Sequence, residues 1–328
     1  MPHTLYRIKR ESWPIRGSFS ISRGSKTTAD VIVVELERDG KTGHGECVPY
    51  GRYGETLDEV EGALAALRAD VEAGLDRTAL AMRLPAGAAR NALDCALWDL
   101  EAKISGVPAW KAAGLPEPQP TLTAFTISLD SPERMRTAAK DAMDRPLLKL
   151  KLDGGPDLDR VRAVRDAAPK ARLIVDANEG WAPAQIETLT PDLAQLGVEL
   201  IEQPLPAGDD AALDRVRSAV PLCADESFHD LDDLAAMAGR YQFINIKLDK
   251  TGGLTEALHI VQEARKSGLE IMVGCMVGSS LAMAPAALLA GAARYVDLDG
   301  PLLLAGDRTP GMTYEGSILY PPPPALWG

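Results

Sequence analysis

Five charged residues in the middle of the chain each close a short apolar run. Lys151 ends Leu147-Leu-Lys-Leu-Lys151, Asp176 ends Arg172-Leu-Ile-Val-Asp176, and Glu202 ends Glu199-Leu-Ile-Glu202. Asp225 follows Leu222-Cys-Ala, and Lys247 follows Phe243-Ile-Asn-Ile. They recur every 22 to 26 residues (151, 176, 202, 225, 247), about the length of one strand plus a crossover helix. Inside a buried parallel strand a charge is costly. At the strand's C-terminal mouth it is tolerated, and barrel enzymes place their catalytic groups there. Asp176, Glu202 and Asp225 offer only hard oxygen donors, a set suited to Mg²⁺ or Mn²⁺ with the other octahedral positions left to water or substrate. The four histidines (His3, His44, His229, His259) fall outside the pattern, which argues against zinc. One such carboxylate alone reads as a solvated loop residue; three at successive strand ends beside two lysines read as a site.

Lys149 and Lys151 are two apart on one strand and share a face. Two close ammonium groups depress each other's pKa, as a lysine base near neutral pH requires. Lys247, four strands later, is expected to face Lys151 across the barrel mouth. A base on each side of a substrate α-carbon could remove a proton from one face and return it to the other. A metal would hold the substrate carboxylate and stabilise the enediolate.

These groups need a scaffold, and the rest of the sequence supplies one. The 328 residues are 46% hydrophobic and 25% charged, ordinary for a globular protein of two domains. A net charge of −12 argues against nucleic acid or an anionic membrane as partner. Cys47, Cys95, Cys223 and Cys275 form no Cys-x-x-Cys pair. The start has no apolar signal region, and no run approaches 18 apolar residues. We therefore expect reduced thiols and a cytoplasmic protein. The first fifty residues look β-rich, with a strand at Val31–Leu36 and a hairpin turn at Asp39-Gly40. Helical patterns run from Thr56 to about Ala73 and from about Ala86 to Ser105, and Gly114 to Pro120 is a proline-rich joint. Strands are then expected near 121–127, 147–152, 172–176, 199–202, 221–225, 243–247, 270–275 and 295–299, with helices between them. The tail, ending in Tyr320-Pro-Pro-Pro-Pro-Ala-Leu-Trp-Gly, cannot be barrel helix and is expected to pack on the N-terminal domain.

Phe125-Thr-Ile-Ser128, Lys149-Leu-Lys151, Asp176-Ala-Asn178, Gly180-Trp181, Ile201-Glu-Gln-Pro204, Ala224-Asp-Glu-Ser227 and Ile246-Lys-Leu-Asp-Lys-Thr-Gly-Gly253 resemble the muconate-lactonizing subgroup of the enolase superfamily. So do Gly43-His-Gly-Glu-Cys-Val-Pro49 and Gly54-Glu-Thr56. Lysine bases with metal-stabilised enediolates are the pattern of that superfamily. The resemblance implies an α/β fold, a modified TIM barrel of type (β/α)7β over residues 116–305. An α+β capping domain over 1–115 would be completed by the tail, 306–328. It implies Mg²⁺ on Asp176, Glu202 and Asp225, Lys151 and Lys247 as the acid/base pair, and Lys149 on the substrate carboxylate or tuning Lys151.

Asp297-Leu-Asp299 places two carboxylates on one face of the eighth strand, and two anions without an obvious basic neighbour call for a cation. A similar Asp-x-Asp holds the substrate amine in dipeptide epimerases, although Asp299-Gly300-Pro301 also reads as a turn. Arg23 resembles the arginine that alanine–glutamate epimerases set against the glutamate side chain, with Arg16 and Arg52 as competitors and Thr126 assisting at the first strand. The expected activity is therefore inversion of the C-terminal residue of an L-Ala-L-Xaa dipeptide, with L-Ala-L-Glu favoured. The expected partner is a small molecule, neither nucleic acid nor membrane, and a homo-oligomer is compatible with the sequence. The rival readings are o-succinylbenzoate synthesis or muconate cycloisomerisation on the same scaffold, and a Schiff-base aldolase using Lys247.

Overall fold

A computed structural model describes residues 4–328. Strands β1 (Leu5–Ile21), β2 (Gly24–Arg38) and β3 (Lys41–Cys47) form an antiparallel sheet in that order. Asp39 and Gly40, both at positive φ, make the tight turn that the Asp-Gly pair favours. Thr56 caps the helix Leu57–Ala66 in a reciprocal box with Glu59, and a helix at Arg68–Glu72 continues that stretch. The helix Ala88–Ser105 ends at left-handed Gly106, the usual glycine stop. It lies so close to β3 that a Cβ on Gly43 would stand 2.5 Å from the Leu100 amide, and one on Gly45 would overlap the Ala92 carbonyl oxygen.

Strand β4 (Thr121–Leu122) belongs to a small sheet with β13 (Tyr314–Glu315) and β14 (Ile318–Leu319). The run expected as one first strand is therefore divided, and only β5 (Phe125–Ile127) enters the barrel. Seven parallel strands follow: β6 (Leu147–Lys151), β7 (Arg172–Asp176), β8 (Val198–Glu202), β9 (Leu222–Ala224), β10 (Phe243–Ile246), β11 (Glu270–Gly274) and β12 (Tyr295–Asp297). The ring closes where the Ala124 amide donates to the Val296 carbonyl at 2.8 Å and the Leu298 amide to the Thr123 hydroxyl at 2.9 Å. Full helices cross over at Pro132–Asp141, Asp157–Ala167, Pro183–Gln195 and Leu254–Lys266, with a shorter one at Ser280–Ala287. The β8–β9 and β9–β10 crossovers depart from the expected helices: the first holds a 3₁₀ segment (Asp210–Asp214), the second a 3₁₀ turn (Leu231–Asp233) leading into one helical turn (Leu234–Met237). Pro204, Pro206, Gly208 and Pro221 leave little room for a longer helix in the first of these.

Strand periodicity organises the barrel interior. Ala124, Leu147, Ile174, Leu200, Cys223, Phe243, Met272 and Tyr295 form a closed apolar cluster, one from each strand or its edge. Two residues further along each strand, one pleat nearer the mouth, stand Thr126, Lys149, Asp176, Glu202, Asp225, Asn245, Gly274 and Asp297. An apolar floor thus carries a layer that is polar except for one glycine. The C-terminal tail returns to the helix Ala88–Ser105: Trp327 is buried and its indole donates to the Cys95 carbonyl at 3.0 Å.

Candidate active site

Strand register sets the geometry. Lys151 pairs with Asp176, and Asp176 with Glu202, so three charges lie side by side across β6, β7 and β8. A register shift after Leu173 brings Asp176 level with Glu202. Asp225 and Lys247 immediately follow β9 and β10. One carboxylate oxygen from each of Asp176, Glu202 and Asp225 lies within 4.8 Å of the others, all three residues buried. Lys151 donates to Asp176 Oδ2 at 2.6 Å and Lys247 to Asp225 Oδ2 at 2.6 Å. Since β6 and β10 are four strands apart in a ring of eight, the two lysines rise from opposite walls.

Lys149 differs from expectation. It is buried, with Nζ 2.5 Å from Glu202 Oε2, 2.7 Å from Asp297 Oδ2 and 3.4 Å from Asp176 Oδ2. Burial opposes its charge, but Asp297, Glu202 and Asp176 prevail and hold its pKa well above the usual lysine range. The depression expected from a neighbouring ammonium is reversed there, because three carboxylates outweigh one lysine. The same contact corrects the reading of Asp297 as lacking a basic neighbour: Lys149 reaches it past β5, from two strands away around the closed ring. Asp297 Oδ1 remains buried without a partner. Asp299 accepts the Thr126 amide at 2.7 Å, and burial together with Asp297 pushes its pKa up to about 7.

Lys250, Asn245 and Glu226 escaped the sequence reading. Lys250, fully buried, donates to Asp225 Oδ1 at 2.6 Å and to its carbonyl at 2.5 Å. Asn245 donates to Glu202 Oε1 at 2.7 Å, in space left by Gly274, where a Cβ would lie 2.6 Å from the Asn245 amide oxygen. The period-2 step from Phe243 to Lys247 was the available signal for Asn245. Asn178, Glu179 and Gln203 hold positive φ values of 44°, 67° and 32° directly after β7 and β8, strain of the kind found at functional sites.

The donor set fits a divalent cation. Around the mouth the described residues bring six carboxylates (Asp176, Glu202, Asp225, Glu226, Asp297, Asp299) against Lys149, Lys151, Lys247, Lys250 and Arg23. Burial and Asp176 push the Glu202 pKa up to about 8 despite Lys149. Carboxylates so crowded need more positive charge than the chain provides.

Above this layer lies a cavity of about 500 Å³, roofed by the β1–β2 hairpin and residues Tyr50–Tyr53, with Lys151, Asp225 and Lys247 below. Arg23 lines it, but its guanidinium bonds Glu226 at 2.5 Å, Glu179 at 2.9 Å, the Asn178 carbonyl at 2.9 Å and the Tyr50 hydroxyl at 3.0 Å. Arg52 lines it too and pairs with Glu179. Arg16 binds the Leu304 carbonyl and is not among the lining residues.

Against known proteins, residues 4–114 match the mandelate racemase/muconate lactonizing enzyme N-terminal domain and residues 134–305 the enolase C-terminal domain-like family. The chain belongs to the mandelate racemase/muconate lactonizing family of the enolase superfamily. It is 46% identical to L-Ala-D/L-Glu epimerase of Escherichia coli, over 96% of this chain and 98% of that one. It is 48% identical to N-acetyl-D-glutamate racemase of a Pseudoalteromonas species, over 91% and 95%. It superposes with a TM-score of 0.97 and 53% identity, over 99% and 100% of the two chains, on an Agrobacterium tumefaciens enolase family member with homology to dipeptide epimerases, bound to sodium and L-Ala-L-Glu. Against a substrate-liganded L-Ala-D/L-Glu epimerase of Bacillus subtilis the TM-score is 0.91 at 29% identity, covering 98% and 97%.

Proposed function

We propose that this chain is a Mg²⁺-dependent dipeptide epimerase that inverts the C-terminal residue of L-Ala-L-Xaa, with L-Ala-L-Glu favoured, by proton transfer between two bases. The observation that carries this reading is the pair of lysines, Lys151 and Lys247, on opposite walls and flanking the triad of buried carboxylates. Lys151 removes or returns the α-proton on one face and Lys247 on the other. Each is oriented by a carboxylate at 2.6 Å. When bound by Asp176, Glu202 and Asp225, Mg²⁺ would supply positive charge to the substrate carboxylate as the α-carbon loses its proton. Lys149 ties that triad to Asp297, and Lys250 and Asn245 hold Asp225 and Glu202 in place. Asp297 and Asp299 are assigned to the substrate ammonium, for which the unpartnered Asp297 Oδ1 is the open acceptor. Thr126 fixes Asp299 through its amide.

The names of the relatives favour this reading over succinylbenzoate synthesis, muconate cycloisomerisation or a Schiff-base aldolase. One observation favours a second substrate: Lys149 already offsets Asp297, so an N-acylated glutamate without an ammonium is compatible with the site, in keeping with the racemase relative. Four free cysteines, three of them buried, accord with the cytoplasm, and no helix among the described residues is long and apolar enough to cross a membrane. The test is deuterium uptake from D₂O into L-Ala-L-Glu and N-acetyl-L-glutamate with Mg²⁺ present, followed by mass spectrometry. Gain of one mass unit with formation of the D isomer is the expected result. Inversion should be lost in both Lys151→Ala and Lys247→Ala, and uptake into the L,L-dipeptide in the variant that lacks the lysine facing the L-configured α-proton. Undiminished exchange in both variants would overturn the two-base assignment.

A further inference from the structure

The two proposed bases are mounted differently. Lys151 stands within β6, which is paired on both sides, and its own position is in register with Asp176. Lys247 stands one residue beyond β10, whose last pair is Ile246 with Val273 of β11. On the β9 side the pairing ends earlier still, at Ile244. The backbone of Lys247 thus lies outside the paired strands. Its carbonyl accepts the Lys250 and Thr251 amides at 2.9 and 3.0 Å and so opens the single helical turn Leu248–Thr251.

The N-terminal domain grips that turn. Asp249, buried, accepts the Asn91 side-chain amide at 2.8 Å and the Val48 backbone amide at 3.0 Å, both on one carboxylate oxygen. Asn91 is oriented from its other end, where its oxygen accepts the Cys95 thiol at 3.2 Å. Next to Asn91, Arg90 donates to the Thr251 carbonyl at 2.8 Å and to the Gly252 carbonyl at 3.2 Å. Gly252 has a φ of 77°, and a Cβ there would overlap the Arg90 guanidinium. Arg90 and Asn91 belong to the helix Ala88–Ser105, while Val48 leads into the Tyr50–Tyr53 segment that roofs the cavity. Helix and roof therefore converge on one carboxylate, two residues from Lys247.

Resting on the two-base reading, we infer that Asp249 is a positioning residue for Lys247, through which the N-terminal domain sets one of the two faces of proton transfer. Lys250 holds Asp225 by two bonds of its own, and Gln203 accepts the Asp225 amide from the barrel side. Loosening the turn therefore displaces the base before it disturbs the carboxylate triad. Lys151, carried by strand pairing, is unaffected. A misplacement of about 1 Å can cost about a hundredfold in rate.

The experiment follows deuterium uptake from D₂O at saturating Mg²⁺ into unconverted L-Ala-L-Glu and, separately, into unconverted L-Ala-D-Glu. Lys247→Ala identifies the isomer whose exchange depends on Lys247. In Asp249→Leu, uptake into that isomer is expected to fall about tenfold to a hundredfold, while uptake into the other stays within about twofold. Inversion should fall with the slower face. Asp249→Asn keeps an oxygen for both amides and should retain most of both rates. Should Asp249→Leu fail to fold, Asn91→Ala breaks the same link from the other side, and the same imbalance is expected. Equal falls on the two faces, or no fall, would overturn the positioning role and leave the epimerase reading intact. Uptake into both isomers that survives Lys247→Ala would overturn the two-base reading, and no uptake in the unaltered protein would overturn both.

Discussion

Replacing Lys149 with methionine removes one ammonium and keeps a side chain of similar length. Lys149 is 1% exposed and faces Glu202, Asp297 and Asp176 within 3.4 Å, so solvent cannot take over its role. Breaking a buried ion pair by deleting one partner costs about 3–5 kcal/mol, because the remaining charge stays buried. Unfolding entropy of roughly 2.1 cal/mol/K per residue gives about 0.7 kcal/mol/K for 328 residues. The midpoint should therefore fall by about 4–7 °C in the metal-free protein. The assay is thermal unfolding in EDTA, with Lys26→Met as the control for loss of an exposed, unpaired lysine. Addition of Mg²⁺ should narrow the gap, since a cation on Asp176 and Glu202 takes up part of the same charge. A shift no larger than the control's would refute the claim that Lys149 neutralises the layer.

Gly45→Ala should destabilise the protein by about 1–3 kcal/mol, measured by urea unfolding, because the new methyl overlaps the Ala92 carbonyl oxygen and neither backbone can yield cheaply. Buried Asp94, which accepts the Thr255 amide and hydroxyl, has its pKa raised from 3.8 to about 6, chiefly by burial. Folding therefore favours its protonated form, and stability is lost as pH rises from about 3.8 to about 6, by roughly 3 kcal/mol. Asp94→Asn should lack that slope, so the stability of the variant relative to the unaltered protein should rise over this window; parallel pH curves would count against it. Removing metal with EDTA should abolish deuterium exchange, and Mg²⁺ at about 100 times its Kd should restore it and add roughly 2.7 kcal/mol of stability. Exchange that survives EDTA would dismiss the metal from the reaction.

Much of this protein was readable along one dimension. A charge closing each of five short apolar runs at an even spacing already specified parallel strands, their C-terminal ends and the groups collected there, because the cost of burying charge leaves few other places for it. Asp39-Gly40 and Gly106 marked a turn and a helix end by backbone chemistry alone. Pairing across the barrel was another matter. Lys149 and Lys151 look equivalent in sequence, yet closure of the sheet sets Lys149 among carboxylates from β7, β8 and β12 and leaves Lys151 with one. Asp297 seemed to lack a counter-charge because its partner lies 148 positions away. Arg23 and Lys26, three residues apart on one hairpin, part company because Glu226 and Glu179 arrive beside one and not the other. The sequence determined which chemical groups reach the mouth, since solvation and strand period act locally. Only the tertiary structure decided which of those charges are already neutralised, because that depends on which strands and loops meet in space.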